Sequence, residues 1–104
     1  MIYCGWDCKR FFPDEILIQG HGDAGIGRDL VCASVSTACY SCLTYLMQHH
    51  NPNIKIKTGK GLCHIVSKDY LSDEEVRVLI RLVSTLKMIE REYPNQVHVY
   101  KIMK

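Results

Sequence analysis

Residues 15–36 read EILIQGHGDAGIGRDLVCASVS, and the fold is decided in this stretch. Residues 15–19 form a short apolar run between the turn Phe12-Pro13-Asp14 and Gly20, the pattern of a strand. Residues 20–28 hold four of the chain's seven glycines and read as a flexible loop. From Asp29 the period changes. Val31, Val35, Ala38, Cys42 and Leu46 recur at helical spacing, Asp29 suits the N-cap, and His49-His50-Asn51-Pro52-Asn53 ends the run. A strand, a glycine loop and a helix over 29–48 follow one another.

The remaining elements fall on either side. Upstream, residues 2–7 form a weak strand. Downstream, residues 54–57 alternate apolar with lysine. After Thr58-Gly59-Lys60-Gly61, residues 62–67 read as the hairpin partner. Ser72-Asp73-Glu74-Glu75 is a capping box, with acids at the positive end of a helix dipole. Val76, Leu79, Ile80, Val83, Leu86, Ile89 and Tyr93 supply that helix with an apolar stripe. Pro94-Asn95 stops it, and residues 97–103 give a last strand. The order is ββαββαβ. Two amphipathic helices on one face of a small mixed or antiparallel sheet make a two-layer α+β fold, a single domain over residues 1–104.

Composition sets limits. A chain of 104 residues makes one domain and buries roughly two-thirds of its unfolded surface. Hydrophobic residues are 47% and charged residues 23% of the chain, an ordinary globular balance. A net charge of +2 is too mild to demand a nucleic-acid partner. No apolar run reaches the roughly 18 residues of a membrane span, so no membrane is expected. The opening MIYCGWDCKRFF lacks the apolar core of a signal peptide. The six cysteines are therefore expected as thiols in a reducing compartment.

The chemistry gathers around Cys32. At a helix amino end, unpaired N–H groups stabilise a thiolate; the plainer reading is a small core residue. Ala33, Ser34, Ser36 and Thr37 are small, which lets a peptide backbone approach. Ser36 lies one turn beyond Cys32 on the same face, either donating a hydrogen bond near the thiolate or only permitting tight packing. His21, between Gly20 and Gly22, is the candidate base. Asp29 can orient the pair or simply cap the helix.

Competing motifs are weaker. Residues 20–25 spell GxGxxG, but the helix opens too late for a dinucleotide site. No acid follows about 20 positions on, and Asp23 repels a pyrophosphate. Cys39-Tyr40-Ser41-Cys42 is a CxxC in mid-helix, where redox motifs do not sit, so both cysteines are expected in the core. Cys4, Cys8, His49-His50 and Cys63-His64 match no standard zinc spacing. Neither a metal nor another cofactor is expected. Lys55, Lys57 and Lys60 read as the exposed side of a strand, where they discourage edge pairing; the same patch suits an RNA-rich partner.

The segment GHGDAGIGRDLVCASVS resembles the signature of the bacterial ribosomal-processing cysteine proteases, the Prp family. The shared pattern is a Gly-His pair, a glycine-bearing loop, then Asp-x-Val-Cys-Ala and a following serine. Residues 63–67 (CHIVS) are similar to the family's inner hairpin strand, and the helix ending Ile89-Glu90-Arg91-Glu92-Tyr93 to its closing helix. The resemblance covers nearly the whole chain. It implies a cytoplasmic endopeptidase, a homodimer of α+β subunits that needs no cofactor and no direct nucleic acid. Its substrate would be a large-subunit ribosomal protein precursor, which loses an N-terminal extension. The family's nucleophile falls on Cys32 and its base on His21, with Asp29, Ala33 and Ser36 in support. Gly20, Gly22, Gly25 and Gly27 fall in the loop that moves on substrate binding. This chain departs by a His–Cys spacing one residue shorter, by Gly22 in place of alanine, and by Cys4, Trp6 and Cys8 in its first strand. The shortened loop leaves a second expectation, a ribosome-associated binding module that keeps the fold without the chemistry.

Overall fold

Period-two alternation in five short segments builds one mixed sheet, and two long helices cover one of its faces. The computed structural model describes residues 1–9, 12–20 and 29–102. In chain order the elements are β1 (Ile2–Asp7), β2 (Glu15–Gln19), α1 (Asp29–His49), β3 (Ile54–Gly59), β4 (Leu62–Ser67), α2 (Asp73–Glu92) and β5 (Val97–Lys101). The strands lie in the order β3-β4-β2-β1-β5. All neighbours are antiparallel except β1 and β5, which run parallel. The ββαββαβ order and the two-layer arrangement match expectation. β3 runs on to Gly59, and β5 stops at Lys101.

One sheet face is apolar and buried. Ile2, Cys4, Ile16, Ile18, Cys63, Ile65 and Val97 lie under Val35, Leu46, Leu79 and Leu86 of the helices. The opposite face carries Tyr3, Leu17, His64, Val66 and Tyr100, none of them fully buried. His64 points away from the core there and sits 2.8 Å from Glu15. Both sheet edges are protected against further strand pairing. β3 presents exposed Lys55 and Lys57, as expected. On β5 the Val99 N–H donates to the Glu90 carboxylate at 2.8 Å.

The helices depart from expectation in detail. α1 begins at Asp29 itself, which places Asp29 inside the helix rather than at its N-cap. Cys39 and Leu43 are buried along with Val31, Val35, Cys42 and Leu46, whereas Ala38 is only half-buried. On α2, Ile80 is 41% exposed and Leu82 only 3%. The expected stripe therefore leans the wrong way at these two positions. α2 packs on α1 as well as on the sheet, and Leu82 lies on the flank toward α1. An 18-residue window within 30–49 has a mean hydropathy of 1.5, so α1 is long and apolar enough to cross a membrane by length and composition. That corrects the reading by runs alone. The threonines, serines and cysteines that interrupt α1 carry little hydropathy penalty, and its apolar side is the domain's core.

A buried carboxylate joins the two helices. Ser72 caps α2 by accepting from the Glu75 N–H at 3.1 Å, and Glu75 accepts the Ser72 N–H at 2.8 Å. The Asn51 amide, just past α1, donates to both Glu75 oxygens at 3.1 and 3.2 Å. Burial raises the Glu75 pKa, but the hydrogen bonds from Ser72 and Asn51 outweigh it and hold the carboxyl below its ordinary 4.5. The lowered native pKa makes Glu75 stabilising above the unfolded-state value. That contribution is lost as pH falls below about 4.5 and through the native pKa. Glu75→Ala is expected to cost about 1–3 kcal/mol at pH 7. The penalty should shrink at pH 3, as read by urea unfolding at the two pH values.

Candidate active site

β2 ends at Gln19, and Gly20 follows it. That glycine has a φ of +93°, and a Cβ there would stand 2.9 Å from the Met1 carbonyl oxygen. Both the backbone conformation and the close approach require glycine. The Gly20 N–H donates to the Gly61 carbonyl at 2.8 Å. Gly61 belongs to the two-residue turn between β3 and β4, at a φ of +68°. The end of β2 is thus held by the N-terminus on one side and the hairpin turn on the other. His21, Gly22, Gly25 and Gly27 lie outside the described residues, as does the side chain of Asp29.

On the far side of that interval, α1 opens at Asp29 and Cys32 is its fourth residue. All six cysteines are thiols, and their settings differ. Cys4, Cys39, Cys42 and Cys63 are buried, while Cys8 and Cys32 are half-buried. Burial pushes the Cys4 and Cys42 thiols up to about 12. Cys39 hydrogen-bonds Cys63, which raises Cys39 steeply and lowers Cys63. Cys39 and Cys42 are therefore core residues, as expected, and Cys63 is one with them. Among the described residues no group of three side chains is arranged to hold a metal ion.

The supporting residues divide. Ser36 is half-buried one turn beyond Cys32. Ser34 is occupied, its hydroxyl donating to the Leu30 carbonyl at 2.8 Å. Ala33 is exposed. Its N–H lies within the i→i−4 ladder that begins at Asp29, so it is not an open oxyanion donor. The N–H groups left over at this helix end belong to residues before Cys32, Leu30 and Val31 among them. Leu30 is 68% exposed and lies on the solvent side of α1, about 200° round the helix from Cys32. Beyond it, Ala33 and Ser34 line one end of a cavity of about 810 Å³ along the α1–α2 seam, with Ile89 and Thr85 opposite.

A family model described as cysteine protease Prp matches residues 1–98. This chain belongs to the Prp family. The ribosomal processing cysteine protease Prp of Staphylococcus aureus is 28% identical to it over 88 residues, spanning 82% of this chain and 83% of the relative. The crystal structure of an essential Prp from S. aureus in complex with a substrate peptide superposes with a TM-score of 0.84. The identity is 24%, over 98% of this chain and 100% of the other. A Streptococcus mutans protein superposes at 0.77 with 16% identity, over 100% of this chain and 96% of its own. The two-layer sheet and helices are therefore the Prp fold, and the family is one of cysteine proteases that process ribosomal protein.

Proposed function

We propose that this chain is a cytoplasmic cysteine endopeptidase that removes the N-terminal extension of a large-subunit ribosomal protein precursor. One observation carries the reading. Of two thiols that are not buried, only Cys32 stands at the amino end of a helix, next to N–H groups that the helix leaves unpaired. His21, first after the anchored Gly20, takes the thiol proton. The thiolate attacks the scissile carbonyl, and N–H groups ahead of Cys32 hold the oxyanion. His21 returns the proton to the leaving amine, and water hydrolyses the thioester. No step needs a cofactor.

The test is incubation with the extended ribosomal protein, comparing the wild-type chain with Cys32→Ala. Cleavage that persists in Cys32→Ala overturns the mechanism. Failure of both proteins to cleave favours the binding module.

The chain is proposed to act as a homodimer. Leu30, Tyr40 and Met47 are 68%, 62% and 51% exposed along one stripe of α1. Their spacing matches a helix–helix seam with Ala33, Thr37 and Thr44 between them. Tyr40→Glu with Met47→Glu is expected to convert a dimer to a monomer in sedimentation velocity. An unchanged sedimentation coefficient places the interface elsewhere.

A further inference from the structure

The Prp reading leaves unused a cluster at the β5 edge, far along the sheet from β3. Trp6 is half-buried on the helix side of β1. Lys87 Nζ of α2 lies 4.6 Å from its ring centroid, and Lys101 Nζ of β5 lies 5.8 Å away. Trp6, Lys87, Arg91, Pro94, Tyr100 and Lys101 line a cavity of about 590 Å³. Lys87, Arg91 and Lys101 are exposed, and no ion pair engages them among the described residues. The acid in the cluster, Glu90, already accepts the Val99 N–H and lies 3.8 Å from His98.

Aromatic surface continues from the cavity onto the uncovered sheet face. Tyr100 lies across Gly5, where a Cβ would meet its ring at 2.8 Å. His98 stacks on Tyr100 with centroids 5.6 Å apart and planes 17° from parallel. Tyr3 meets His98 edge-on at 6.2 Å. Three unneutralised cations beside a run of aromatic rings are the recognition chemistry of a phosphodiester strand with unstacked bases. A peptide adding as a strand is disfavoured here, because Glu90 occupies the Val99 N–H at this edge.

We propose that the Trp6–Tyr100 edge binds single-stranded nucleic acid. Lys87, Arg91 and Lys101 hold phosphates; Lys87, which now lies over the Trp6 ring, swings out to its phosphate so that a base takes its place there, and a further base stacks on Tyr100. The site is separate from Cys32, so Cys32→Ala binds equally, and failure of the protease reading leaves this one standing.

Trp6 is the sole tryptophan, so its fluorescence reports the site directly. Titration with oligouridylate 12-mers of RNA and DNA should quench it, with a log–log salt slope of about −2 for three phosphates. Quenching by both sugars identifies a general single-strand site, and quenching by RNA alone a ribose-selective one. Fluorescein-labelled oligonucleotide anisotropy measures the variants. The triple substitution Lys87→Gln, Arg91→Gln, Lys101→Gln should weaken binding at least tenfold and flatten the slope. Trp6→Leu keeps an apolar side chain against the core and should weaken binding about fivefold or more. Lys55→Gln with Lys57→Gln, at the opposite edge, should change nothing. Thermal melts establish that each variant folds. The proposal is overturned by no quenching at 50 mM salt, or by full binding in the triple variant. Polyglutamate competing as well as RNA, with Trp6→Leu binding normally, overturns it too.

Discussion

Cys32→Ala should lower cleavage of the ribosomal protein precursor by roughly 10⁴-fold or more, with no loss of fold. The rate effect is large because a covalent route disappears with the sulfur, and the remaining groups only bind and polarise. The stability effect is small because Cys32 is half-buried in a helix, where alanine is the better helix former. A change within about 1 kcal/mol is expected in urea unfolding. Thiol labelling gives the same answer by another route. Iodoacetamide near neutral pH should modify Cys32 first, with Cys8 slower. Cys4, Cys39, Cys42 and Cys63 should react only on unfolding, since they are buried. Uniformly slow labelling of all six would remove the case for an activated Cys32.

The largest stability loss is expected from Ile18→Ala. Ile18 is fully buried at the middle of the sheet, between Cys4 on β1 and Cys63 on β4. Truncation removes three carbons from beneath the helices and leaves a cavity. The cost is about 2–5 kcal/mol, against a total of about 5–15 kcal/mol for a domain of this kind. The urea midpoint should fall steeply with little change in slope. Ile80→Ala is the matched control. Its side chain is 41% exposed on α2, and the expected change is within about 0.5 kcal/mol. A large loss at Ile80 would mean that this face of α2 is covered in solution.

The pair Ile18 and Ile80 also marks where sequence reasoning is strong and where it stops. Strand β2 was legible to the residue, because a short apolar run is bounded on both sides by turn residues, Pro13 and Gly20. The start of α2 was equally plain, since the Ser72–Glu75 capping box is a local device. The choice between Ile80 and Leu82 was not local. Both lie near the apolar stripe, and only the neighbouring position of α1 decides which is covered. The parallel pairing of β1 with β5 joins the two ends of the chain, a contact that no short window contains. At the site, Cys32 at a helix amino end was readable from residue type and position. The pairing of the Cys32 N–H within the helix ladder was not, because it depends on a one-residue shift in where α1 begins. The Trp6 cluster escaped notice because its cations come from α2 and β5, far from Trp6 in the chain.

The double anchoring of Gly20 has a consequence for how the family can vary. Eight residues separate Gly20 from Asp29, and both ends of that interval belong to the rigid domain. The entropy of closing a chain segment grows only with the logarithm of its length. Passing from eight residues to nine changes the closure term by about 0.1 kcal/mol. A one-residue difference in His–Cys spacing, as the resemblance implies, would be thermodynamically almost invisible to folding. Selection on substrate shape can therefore lengthen or shorten this segment while the sheet and helices remain as they are.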